Sequence, residues 1–371
     1  MQGGEDCGPH VRSSAKRQSK DIDMCARPKK SAFFRAAALS LCLALAGLQA
    51  TQTASAREIV DMSGQKLTVP DDIRSVYAMT HAMPLLVALA PDLMAGFAMP
   101  VAPRPDVFRF LRPEMAKLPN LGGGPNVNLE KLKDVGVQVA LGWTSPSEQF
   151  PAKKYTRIDI PVVNIEVDKL ALYPASFRFL GTLFHREARG EELARGLEET
   201  VAAAKAATQD IPDAEKPKIY YAESVDGLVS QCDTSDRSEV ITLAGGINAL
   251  HCTGPVSMKD NYPIDIEKLL TVDPDVIVTR FPQTAKTIQA DPRWAGLKAV
   301  KTGRVYAVPG YPFNWFDRPP SFMRAMGARW LAAKLHPERC AFDLRGETKK
   351  FYTLFFGVTP TDADLDLLFA Q

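Results

Sequence analysis

The chain has 371 residues with 45 Lys and Arg against 43 Asp and Glu, so it is close to neutral and longer than one hydrophobic core usually serves. Residues 1–56 hold eight of the basic and four of the acidic side chains, which leaves 37 against 39 in the remainder. With no basic stripe, zinc-finger spacing or RNA motif in that remainder, nucleic-acid binding has no support.

The N-terminal segment reads as an export signal. Arg27, Lys29, Lys30 and Arg35 flank an apolar stretch at 36–48 too short to span a bilayer, and Ala54-Ser55-Ala56 supplies a small-x-small cleavage site. A start at Met24 would give a signal of ordinary length. Leu41 ahead of Cys42 is wrong for a lipoprotein box, so the expectation is a soluble mature protein beginning near Arg57 in the periplasm.

Alternation around Ser63-Gly64 predicts a hairpin across 58–69. A strand at 75–79, a loop at 80–83, a helix at 84–89, a short strand at 93–97 and a loop at 98–104 follow. Gly122-Gly-Gly-Pro-Asn126 then turns the chain into a segment that occurs twice. Asn126-Val-Asn-Leu-Glu130-Lys-Leu132 through Val139-Ala-Leu141-Gly-Trp143 aligns without a gap on Pro263-Ile-Asp-Ile266-Glu267-Lys-Leu269 through Val276-Ile-Val278-Thr-Arg280, at an offset of 137. Each copy reads as helix, turn and buried parallel strand.

Between the copies, 170–209 shows no strand signal, and its apolar residues keep near-helical spacing. That predicts one long helix, kinked near Gly190. A strand at 218–222 opens the second half, a strand at 304–308 follows the second copy, and a helix at 322–334 and a helical cap at 345–371 close it. The fold class is therefore α/β: two lobes (57–169 and 211–371), each with a mostly parallel sheet flanked by helices, joined by a single long helix (170–210). Cys232 and Cys252 bracket a short predicted helix and should pair in an oxidising compartment, leaving Cys340 odd and buried.

Two lobes facing across a cleft suit a binding protein. The loops at the facing strand ends are 77–83, 97–104, 126 and 143–145 in the first lobe and 221–226, 280–281 and 312–318 in the second. They offer Tyr77, Met79, His81, Phe97, Met99, Trp143, Tyr221, Arg280, Trp315 and Arg318 as ligand contacts. Aromatic rings with guanidinium forks suit a flat, anionic chelate. Tyr77 and Phe97 read equally well as core, and Arg318 as a partner of Asp317. Trp315, on the Pro-rich loop 311–321, is the strongest candidate for stacking. His81, and more weakly His251, could complete a metal's coordination, although no dense metal-ligand spacing is visible. No G-x-S-x-G, H-E-x-x-H or P-loop occurs, so an enzyme, as a periplasmic metal-handling protein, is only a distant alternative.

The residues of Gly122-Gly-Gly-Pro-Asn-Val-Asn-Leu-Glu130, Glu239-Val-Ile-Thr-Leu-Ala-Gly-Gly-Ile-Asn248, Asp273-Pro-Asp-Val-Ile-Val278, Asp291-Pro-Arg-Trp294 and Gly303-Arg-Val-Tyr306, in that order, resemble the class III periplasmic substrate-binding proteins of ABC importers for ferric siderophores, haem and vitamin B12. The resemblance implies a monomer without an intrinsic cofactor. It would capture an iron-siderophore or similar chelate, alternatively haem, cobalamin or a metal complex bound directly with His81 as ligand, and deliver it to an inner-membrane permease with its cytoplasmic ATPase. It also implies that one exposed glutamate per lobe docks on permease arginines. The matching positions are Glu130 and Glu267, which also favour a helix N-terminus.

Overall fold

The computed structural model describes residues 55–99, 105–144, 155, 157–252 and 262–370. The export signal lies outside them except for its last two residues, as do Arg104 and residue 145 of the expected cleft loops. Strands β1 (Ala56–Val60) and β2 (Lys66–Pro70) form the antiparallel hairpin. Its turn is tied by Asp61, whose carboxylate accepts from Ser63, Gln65 and Asn164. Strand β3 (Val76–Ala78), helix α1 (Met83–Leu89), helix α2 (Leu129–Asp134), β4 (Val139–Thr144) and β5 (Val162–Glu166) follow, with a parallel sheet in the order β3-β4-β5. The strand expected at 93–97 is reduced to isolated bridges, Val76 with Met94 and Phe97 with Asn120.

Helices α3 (Tyr173–Leu183) and α4 (Glu187–Thr208) come next, then β6 (Lys218–Ala222), β7 (Val229–Ser230), α5 (Glu239–Leu243), β8 (Ile247–Asn248) and β9 (Tyr262–Pro263). The second copy of the repeat is α6 (Ile266–Val272) with β10 (Val276–Thr279). After it come α7 (Pro282–Ala290), α8 (Lys298–Lys301), β11 (Val305–Ala307), α9 (Arg324–Leu335), α10 (Leu344–Phe356) and α11 (Asp362–Phe369). The second sheet has the order β11-β10-β6-β8, with parallel neighbours throughout.

The internal repeat is structural down to its caps. The Asn128 side chain accepts from the Lys131 amide at 2.9 Å, and Asp265, its equivalent, accepts from the Lys268 amide at 2.6 Å. Both helices end at a left-handed residue, Gly136 (φ 69°) and Asp273 (φ 45°). Asp273 takes that conformation without being glycine, and its carboxylate accepts from the Lys298 amide at 2.8 Å. The same start, stop and strand therefore arise twice from local chemistry.

The segment 170–210 is two helices. The chain reverses between Leu183 and Glu187 through His185 at φ 54°, so α3 and α4 form a hairpin. Gly190 does not kink α4; it lets the helices touch, since a Cβ there would lie 2.6 Å from the Phe177 carbonyl. The 22-residue α4 packs against both α1 in the first lobe and α9 in the second.

The tail is likewise a helix pair, and it does not stay in the second lobe. Helix α10 packs on α1 and α4, Tyr352 meets Phe110 edge-on at 5.7 Å, and Arg109 pairs with Asp364 of α11 at 2.5 Å. One continuous core consequently runs from the first sheet through these helices to α9, while a smaller core fills the far side of the second sheet. Cys232 and Cys252 are joined, with Cα atoms 5.6 Å apart, and Cys340 is buried and free.

Candidate functional site

Between the lobes lies a cavity of about 430 Å³. Phe97 and Met99 line it from the first lobe, Arg280 from the end of β10, and Arg318 and Tyr311 from the loop after β11. Four expected contacts, Phe97, Met99, Arg280 and Arg318, are thus brought together. Phe281, Pro282 and Gln283 present the start of α7 to the same space, and that helix has no side-chain cap. Its first amides and its dipole give the cavity a positive end.

His81 and Trp143, two further expected contacts, do not line this cavity but pack on each other with ring centroids 4.1 Å apart. Burial pushes the His81 pKa down to about 3, and the positive charges of Arg237, Arg324 and Arg318 add to the effect. Arg318, which lines the cavity, is thus also close enough to act on His81. Both effects favour the neutral imidazole over the imidazolium.

Under this surface is a buried ionic network. Glu223 and Asp317 are 3 % and 0 % exposed. Glu223 bonds Arg318 and Gln231 and lies 3.8 Å from Arg237, while Asp317 is 3.7 Å from both arginines. At 3.7 Å neither contact of Asp317 is a hydrogen bond, and burial raises its pKa. Arg237 and Arg318 are thereby matched by two acids. Arg280 is the surplus cation: it lies over the Phe281 ring at 4.6 Å and has no ion pair among the described residues.

The remaining expected contacts belong to the core. Trp315 is 0 % exposed, donates to the Tyr352 hydroxyl at 3.1 Å and meets Phe369 edge-on at 6.0 Å. It supports the loop from beneath, which corrects the expectation that it stacks on ligand. Tyr77 is buried with its hydroxyl bonded to the Gly122 carbonyl, Met79 is buried behind it, and Tyr221 is buried against Phe316. His251 is exposed and bonds Asp233 beside the disulfide. Arg237 and Leu367, a cavity residue from α11, escaped the sequence reading. Arg237 lies in a polar run that looks like a solvated turn, and Leu367 in a tail with no motif.

The low pKa of His81 has a stability consequence. The unfolded histidine binds a proton below about 6.5, whereas the folded one does so only near 3, so stability is present above pH 6.5 and is lost as pH falls through that window. At about 1.4 kcal/mol per pKa unit, and allowing for the partly wet ring, the loss is on the order of 3 kcal/mol. Urea midpoints between pH 7 and pH 3.5 should fall less steeply in His81→Gln than in the parent. Superimposable acid limbs would show that His81 is not held neutral.

Comparison with known proteins places this arrangement. Residues 147–312 match the family described as periplasmic binding protein. An ABC transporter solute binding protein from Sulfurospirillum deleyianum is similar in structure, with TM-score 0.78 and 34 % identity over 85 % of this chain and 99 % of that one. The molybdate-binding protein MolA of Haemophilus influenzae is 23 % identical over 81 % of this chain and 91 % of its own length, and its molybdate-bound structure gives a TM-score of 0.68. A vitamin B12-binding protein of Pectobacterium carotovorum is 22 % identical over 45 % of this chain and 58 % of its own. The chain belongs to the periplasmic binding proteins, of the class III type, that serve ABC importers. Proteins of this family carry transported ligands rather than resident cofactors, and they work with a cognate membrane transporter.

Proposed function

We propose that this binding protein captures an anionic metal chelate, of the iron-siderophore type, and delivers it to an inner-membrane permease. The observation that carries the reading is the surplus charge of Arg280 at the start of α7, in a cavity that also presents Arg318 and a largely apolar lining of aromatic, thioether and aliphatic side chains. A half-buried guanidinium with no ion pair among the described residues favours a ligand that brings negative charge, and Phe97, Tyr311 and Met99 favour one with an apolar body. A volume of about 430 Å³ is in the usual range for an organic ligand. His81 would complete the coordination of a metal bound nearby, as neutral imidazole does.

A second reading is a bare oxyanion held by Arg237, Arg318 and Trp143. It is favoured by the similarity to MolA, which extends over 91 % of that protein, whose name records molybdate binding. The size of the cavity favours the chelate. Calorimetric titration with ferric catecholate and ferric hydroxamate chelates, haemin, cobalamin and molybdate distinguishes them. The chelate reading expects one ferric chelate to bind at one per chain, far above the others; tight binding of molybdate alone would contradict it.

A further inference from the structure

Part of the apolar wall of the cavity is built by two parts of the chain that are remote in sequence. Val107 and Leu111 come from the turn Pro105–Arg109 and the residues after it, and Leu367 comes from α11. Leu367 is the one lining residue contributed by the C-terminal helices. Leu365 and Leu368, on the other side of α11, are fully buried, and Phe369 rests on Trp315. The helix is therefore seated on the core with Leu367 turned to the ligand space.

One ion pair ties the two parts of the wall together. Arg109, in the same turn as Val107, donates to the Asp364 carboxylate at 2.6 Å, and Asp364 also closes the capping box of α11 with Thr361. Asp364 is nearly buried, while Arg109 is 44 % exposed, so the tie is open to solvent on one side. Gly357, at φ 66°, ends α10 and lies against the Arg112 guanidinium, so only a short link separates the two tail helices.

We propose that α11 is the wall that limits the size of ligand the cleft admits, with Leu367 as a specificity-determining residue and Arg109–Asp364 as the tie that holds the wall in place. The inference rests on the chelate reading for its ligand, but the wall itself rests on the packing of α11.

The test compares the full chain with Leu367→Ala, Leu367→Trp and Arg109→Gln. Fluorescence titrations use a compact ferric citrate chelate and a bulky ferric tris-catecholate. Leu367→Ala should shift the affinity ratio toward the bulky chelate by about tenfold, the scale on which apolar pockets discriminate small volume changes, and Leu367→Trp should shift it the other way. Arg109→Gln should shift the ratio in the same direction as Leu367→Ala and raise amide hydrogen exchange across residues 362–369, with the melting temperature little changed. An unaltered ratio in all three variants, with exchange in α11 as in the parent, would overturn the proposal. If the parent binds neither of these chelates nor a ferric hydroxamate, the chelate reading fails, and the wall is judged with anilinonaphthalene sulfonate, an anionic aromatic dye. Weaker dye binding in Leu367→Trp with faster α11 exchange in Arg109→Gln would still support the wall, and no change in either would refute it.

Discussion

Replacing Glu130 and Glu267 together by lysine should abolish uptake while leaving ligand affinity within about twofold of the parent. Both residues are exposed, both occupy the first turn of the repeated helix, and neither forms an ion pair among the described residues or lines the cavity. Their equivalence is geometric: each follows its cap by two residues, in helices that start 137 residues apart. A permease that engages one glutamate on each lobe would meet two like charges in the double variant, and repulsion of that kind costs several kcal/mol. Either single reversal should lose less than half the free energy of the double if the two contacts act as a unit. Reconstituted transport and stimulated ATP hydrolysis give the readout, beside calorimetric affinity. Uptake at the parent rate, or loss of ligand binding in a folded double variant, would remove these glutamates from the docking surface.

Arg280→Ala should weaken ligand binding by about 10- to 100-fold, because a hydrogen bond to a charged group contributes roughly 1.5–3 kcal/mol. The fold should survive, since Arg280 leaves no buried acid unpaired when it is removed. Arg237→Ala is expected to behave differently. It strips one of the two cations facing Glu223 and Asp317, so stability should fall together with affinity, by about 3–5 kcal/mol for a broken buried pair. Urea unfolding and titration on the same samples separate the two. Equal affinity in Arg280→Ala and the parent would show that the surplus cation does not meet the ligand.

The contrast between what the sequence revealed and what it hid follows from range. The repeat was legible because every part of it is local: a cap three residues from the amide it satisfies, a left-handed stop, and a β-branched strand directly after. The placement of Arg280 and Arg318 at the cavity could be read from sequence because a charge at the end of a buried strand, or in a Pro-rich loop, has few places to go. Trp315 was misread because its partners, Tyr352 and Phe369, lie in tail helices whose return to the first lobe no local pattern announces. Leu367 was missed for the same reason. The reversal at His185 was hidden too, since the apolar spacing of α3 and α4 continues across it and a non-glycine residue makes the turn. Arg237 shows the remaining gap: a run of short polar residues looks solvated until Glu223 and Asp317 are folded against it.

Whether the cleft holds an anionic metal chelate around Arg280 is decided by native mass spectrometry of the chain isolated from its own cells. One bound species per chain is expected, with the isotope pattern of a metal, a net negative charge on the released ligand, and its loss from Arg280→Ala. A chain carrying molybdate, a neutral metal-free ligand, or the same bound species in Arg280→Ala as in the parent would contradict it.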